Sequence, residues 1–149
     1  MASRPQSSLE ITSDLSEKGF QADIVSQVIE ELLQRGLLDD TTLARDIILL
    51  DQRMNRGRAR IYADLRKRGI ERSLAEESLD EFYDTETERK SIVHLLGHIT
   101  SHGSPDLDES QLNKIARKVS GRGFPPGIVR DIMHKMTCDK EEDKAGQFP

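Results

Sequence analysis

Ile61, Leu65, Arg68-Gly69-Ile70, Leu74, Ser78-Leu79 and Phe82 form the stretch that decides the fold. Its apolar residues fall three or four apart, the spacing that puts them on one stripe of a helix. The stripe is cut once, by a basic-Gly-apolar triplet. Glycine takes the left-handed conformation that closes a helix C-terminus, and a basic residue just before it faces the negative end of the helix dipole. The stretch therefore predicts two helices folded against each other at Gly69. Fifty positions earlier the pattern recurs as Ile11, Leu15, Lys18-Gly19-Phe20, Ile24, Val28-Ile29 and Leu32. Fifty-four positions later it recurs as Ile115, Val119, Arg122-Gly123-Phe124, Ile128, Ile132-Met133 and Met136. Three similar hairpins imply a repeat architecture.

Two further helices are expected between the hairpins. One follows Gly36-Leu37-Leu38-Asp39-Asp40 and runs from about Thr41 to Met54, with Leu43, Ala44, Ile47 and Ile48 on its inner side. Asp39 or Asp40 is its N-cap. The other starts near Asp84-Thr85 and carries Ile92, Val93, Leu95, Leu96 and Ile99. Capping boxes read at Ser7 with Glu10, Ser73 with Glu76, and Thr85 with Glu88, and Pro125-Pro126 suits the first turn of the last helix. No segment alternates apolar and polar residues with period two, so no sheet is expected. The fold class read here is all-α, a tandem repeat of three-helix modules with about eight helices, elongated and curved. The modules are an incomplete first one at 7–40, a second at 41–83 and a third at 84–137. The stretch from Ser101 to Asp108 is read as a linker, and 138–149, polar and aperiodic, as a disordered tail.

Composition agrees with thin apolar seams rather than one thick core. Of 149 residues 35% are hydrophobic, 33% charged and 4% aromatic, with no Trp. The net charge of -5 argues against a protein that simply coats nucleic acid. The single cysteine, Cys138, allows no disulfide within the chain and points to a reducing compartment, the cytoplasm. No apolar run of about 18 residues is present, and Met1 to Ser8 lack the apolar core of a secretory signal.

Against this acidic background Arg53, Arg56, Arg58, Arg60, Arg66, Lys67, Arg68 and Arg72 crowd into twenty positions, opposed only by Asp64 and Glu71. At 100° per residue Arg60 and Lys67 point away from the Ile61–Leu65 face. The cluster suits phosphates or an acidic protein groove; a solvated helix face is the plainer alternative. Lys114, Arg117 and Lys118, with Arg122, form a weaker patch open to the same two readings. No aromatic is interleaved with these charges, which speaks against base stacking. His94, His98 and His102 recur every fourth residue, but no cysteine or carboxylate completes a metal set, so no metal and no cofactor is assigned. Tyr62, Phe20, Phe82 and Phe124 read as packing residues. Asp39 and Asp40 read as caps, not a catalytic dyad. No phosphate loop, catalytic triad or nucleophilic cysteine motif is present, so no catalytic residue is assigned and the chain is read as a non-enzyme.

The run Arg35-Gly36-Leu37-Leu38-Asp39-Asp40, Leu43-Ala44, Gly57-Arg58-Ala59-Arg60-Ile61 and Asp64-Leu65-Arg66-Lys67-Arg68-Gly69-Ile70 resembles the RecX family, as does the third hairpin with Arg122-Gly123-Phe124. The resemblance covers about residues 7–137. Leu37 stands where that family usually has an aromatic residue, and Asn55, Arg56 and Arg58 stand in place of the Gly, aromatic and Pro of its turn. The resemblance implies a helical protein that binds in the groove of RecA–DNA filaments and restrains filament extension, strand exchange, ATP hydrolysis and co-protease activity. It thereby affects DNA repair and the SOS response. The implied partners are the RecA filament and single-stranded DNA, with a monomeric protein and no membrane. A general helical DNA-binding module needs only the basic cluster and is the alternative; an enzyme built on the histidines is the third.

Overall fold

The computed structural model describes residues 4–101 and 107–145; at Thr100, Ser101 and 138–145 it describes backbone alone. Among these residues there are eight helices and no strand: α1 (Ser8–Glu17), α2 (Ala22–Gln34), α3 (Asp40–Arg53), α4 (Arg58–Lys67), α5 (Arg72–Phe82), α6 (Thr85–Ser101), α7 (Glu109–Ser120) and α8 (Pro126–Ala145). The three hairpins are α1–α2, α4–α5 and α7–α8. Their breaks fall at Gly19, Gly69 and Gly123, each with positive φ. At the first two breaks the residue after the glycine bonds back five residues, Phe20 N–H to Leu15 O and Ile70 N–H to Leu65 O, which takes up a carbonyl the helix leaves open. Most of the expected linker, and His102 with it, lies outside the described residues. α8 continues through 138–145, the stretch expected as a disordered tail. Apolar periodicity ends at Met136, but Lys140, Glu141, Glu142 and Lys144 are good helix formers and carry the ladder on.

The chain divides into two compact units. The first gathers the chain up to Asp51 with Ile61–Tyr83; the second gathers Gln52–Arg60 with the chain from Asp84 onward. In the first, Leu43, Ala44, Ile48, Ile61, Leu65, Ile70, Ala75, Leu79 and Tyr83 make one buried cluster. In the second, Ile92, Leu95, Leu96, Val119, Phe124, Val129 and Ile132 make another. Tyr62 and Phe82 pack on the edge of the first cluster, while Tyr83, just past the end of α5, is the ring fully buried within it. Phe20 does not pack as expected: it is 52% exposed, and Ile24 and Val28 on α2 are exposed as well. Apolar residues at 24, 25, 28, 29, 32 and 33 span about half of the helix circumference. α1 takes the side marked by buried Val25, which leaves Ile24 and Val28 outside.

The caps show how the units are tied internally. Ser7 and Glu10 form the expected capping box, and the Ser7 hydroxyl also donates to Arg68 O at 2.5 Å. Asp39 accepts from the Thr42 amide and hydroxyl as the cap of α3, while Asp40 accepts from the Ser8 amide at 2.9 Å. The other two expected boxes are not formed. Ser73 lies inside α5, and Glu76 pairs instead with Arg72. α6 is capped by Asp84, which accepts from the Thr87 amide at 2.7 Å. That releases Glu88, buried in α6, to accept from the Arg58 amide at 2.9 Å.

The start of α4 is thus closed by parts of the second unit: Gly57 N–H reaches Arg122 O at 2.8 Å, Arg58 N–H reaches Glu88, and Ala59 N–H reaches Gly123 O at 3.2 Å. Here the turn's departures from the resembled pattern find their physical sense. Asn55 stands at φ 55° in a glycine's place, and asparagine is among the few side chains that tolerate that conformation. Arg58 stands in a proline's place, and the extra N–H it brings is met by a carboxylate at the positive end of the helix.

Candidate nucleic-acid interface

The twenty-residue basic cluster is shared between the units, four residues to each. Arg66, Lys67, Arg68 and Arg72 belong to the first unit; Arg53, Arg56, Arg58 and Arg60 belong to the second. Ile61 and Leu65 are the buried face of α4, as its spacing requires, and Arg60, Arg66 and Lys67 are exposed.

In the first unit the four cations are not equivalent. Arg68 keeps only 20% of its side chain exposed and is committed to holding α1. Its Nε lies 3.3 Å from Glu10 Oε1, and its guanidinium also donates to Pro5 O. Arg66 donates to Ile70 O at 3.0 Å and so closes the end of α4. Arg72 is exposed and holds Glu76 at 3.2 Å, on the same helix one turn on. Lys67 is the exposed cation of this group for which no intramolecular partner is found among the described residues. Burial alone would raise the Glu10 carboxyl, but the Ser7 amide, Arg68 and Arg4 outweigh it and hold it below the ordinary carboxylate value.

In the second unit Arg53 and Arg60 are exposed, and Arg56 and Arg58 are half-buried. Arg56, Arg58 and Arg60 each have an intramolecular partner. Lys114, Arg117 and Lys118 lie exposed on α7. Arg117 lines an open groove between α7 and α8 with Asn113, Ala116, Ser120, Pro126 and Arg130. Lys114 lines its continuation with Glu109 and Ser110. Lys118 lines neither stretch, and Arg122 donates to Met54 O at 3.3 Å.

Arg130 was not singled out from the sequence. The signal for it was present: a hairpin folded at Gly123 sets residues at similar distances from the break side by side, and Arg117 and Arg130 lie six before and seven after. His94 and His98 are exposed, and among the described residues no group of three or more metal-capable side chains occurs. Nor, among those residues, is any helix long and apolar enough to cross a membrane.

No family model matches the chain. It is similar over almost its whole length to curated proteins named regulatory protein RecX. The one from Clostridioides difficile is 27% identical over 93% of this chain, which spans 65% of that protein's length. The one from Pelodictyon phaeoclathratiforme is 29% identical over 94% of this chain and 86% of its own length. The one from Mycolicibacterium vanbaalenii is 26% identical over 95% and 80%. Among solved structures, RecX from Lactobacillus salivarius superposes with a TM-score of 0.76 at 23% identity, covering 91% of this chain and 88% of that one. A second crystal structure of a regulatory protein RecX gives 0.69 at 18% identity, over 86% of this chain and 64% of the other. At those identities the structural likeness establishes a shared helical-repeat fold.

Proposed function

From the premise that this chain belongs to the RecX family of regulatory proteins, we propose that it binds RecA-type recombinase filaments on DNA and restrains them. It acts as a cytoplasmic, monomeric regulator rather than as an enzyme. The observation that carries the reading is the extent of the likeness. It spans more than nine-tenths of the chain, all three hairpins included, and so goes beyond a local capping motif. Exposed Arg53, Arg60, Lys67, Lys114, Arg117 and Lys118 support it, since cations on an acidic chain suit a polyanionic partner.

The test is recombinase ATP hydrolysis on single-stranded DNA. Substoichiometric chain slows hydrolysis, and Lys67→Glu weakens the inhibition with helix content unchanged by circular dichroism. No slowing at equimolar chain would remove the reading. Undiminished inhibition by Lys67→Glu would remove that residue from the contact. A general DNA-binding module, the second reading, binds oligonucleotides in solution but leaves hydrolysis on a saturated filament unaltered.

A further inference from the structure

The groove between α7 and α8 has a volume of about 350 Å³, within the range of small-ligand clefts, about 300–1,000 Å³. Asn113, Arg117 and Ser120 recur at i, i+4 and i+7 and therefore share one face of α7. Arg130 enters from the opposite helix, one turn into α8. Pro126, the first residue of α8, also lines the groove, so the positive end of a 20-residue helix borders it. Among the described residues neither Arg117 nor Arg130 has a carboxylate within ion-pair distance. Among the described residues, the carboxylate that lines its continuation is Glu109, on the stretch that Lys114 also lines. Two guanidiniums facing one concavity repel each other. They are stabilised by an anion that both can grip, and their planar forks match the oxygens of a phosphate.

We propose that this groove binds the backbone phosphates of a nucleic-acid strand. Arg117 and Arg130 grip a phosphate from the two helices, and the Asn113 amide and Ser120 hydroxyl donate to its remaining oxygens. Among the described residues no aromatic side chain lines the groove, so the bases are not stacked and binding is independent of sequence. The proposal deepens the filament reading by naming the surface that meets DNA, and it is tested without recombinase. A free nucleotide offers the same phosphate, and competition separates it from a strand.

The experiment is fluorescence anisotropy of a labelled 20-nucleotide oligodeoxythymidylate, titrated with the full chain over a range of salt. Each phosphate contact on a single strand adds about -0.7 to the slope of log affinity against log salt. The double variant Arg117→Gln/Arg130→Gln loses one or two contacts, so its slope becomes shallower by about 0.7–1.4, and binding at low salt weakens at least tenfold. Arg35→Gln, exposed and paired with Glu31 far along the chain, leaves both unchanged. An unchanged slope in the double variant, an equal loss in Arg35→Gln, or no binding by the wild-type chain overturns the site. Displacement of the strand by millimolar ATP or inorganic phosphate, beyond matched sodium chloride, reassigns the groove to a free phosphate and overturns the strand; no displacement supports it. The ATPase assay separates the two readings. Inhibition that persists alongside an unchanged slope sinks the groove alone, and a changed slope without inhibition sinks the filament reading alone.

Discussion

Gly57 and Gly123 meet with no room for a side chain on either. A Cβ built on Gly57 would lie 2.3–2.4 Å from the Gly123 carbonyl and the Phe124 nitrogen, and one on Gly123 would lie 2.5 Å from Arg60. The obstacles are mostly backbone, which cannot swing aside, and Gly57 N–H is bonded to Arg122 O at the same point. Gly97 is the opposite case, in the middle of α6 with nothing within 4 Å of its missing Cβ. Gly57→Ala should therefore lower unfolding free energy by about 1–3 kcal/mol or more, and Gly97→Ala should raise it by about 0.5–1 kcal/mol, both read from urea denaturation. Equal effects would mean that the close approach at Gly57 is not rigid. At this scale the sequence marked Gly123 as special through its place in the repeat, but Gly57 only through a borrowed pattern. The exposure of Phe20 was not legible, because an aromatic after a helix-closing glycine reads the same whether or not a neighbour covers it.

The helices themselves were legible, since a 3.6-residue period and a glycine break are local properties that survive whatever packs around them. What caps them was legible only where cap and helix are adjacent, as at Ser7–Glu10 and Asp39. The start of α4 is closed by Glu88, Arg122 and Gly123, thirty to sixty-five residues further along the chain, and no local pattern announces such partners. The sequence pairs Thr85 with Glu88; the structure gives the capping of α6 to Asp84 and of α4 to Glu88. The two arrangements differ in a measurable way. Glu88→Ala leaves the Arg58 amide without its charged acceptor and should cost about 2 kcal/mol, the scale of a hydrogen bond to a charged group. Thr85→Ala should be close to neutral. A Thr85→Ala loss as large as that of Glu88→Ala would restore the local capping box.

Over the whole molecule, membership of the two units follows which residues pack together rather than chain order. Residues 52–60 belong with 84 onward although they sit between two parts of the first unit, which module counting along the sequence could not reveal. Charge acts at this scale as well, through carboxylates that folding engages. Asp39 is held below its ordinary value by the Thr42 hydroxyl and amide, and Asp84 by the Thr87 amide. Glu10 is lowered too, the pull of the Ser7 amide, Arg68 and Arg4 overcoming burial. For a carboxylate depressed in the folded state, the stabilising contribution is complete above the unfolded pKa, about 4, and is lost as pH falls through the lower folded value. The chain should therefore hold a steady melting temperature from pH 7 to about 5 and lose it steeply below about 4, where protonation also leaves 22 Lys and Arg largely unopposed. Glu10→Gln should melt lower than the wild type at pH 7, and the gap should close on acidification, because the wild-type carboxyl then becomes neutral as well. A gap that stays constant down to pH 3 would mean that Glu10 acts through packing and not through its charge. The tie between α1 and Arg68 would then be steric in origin.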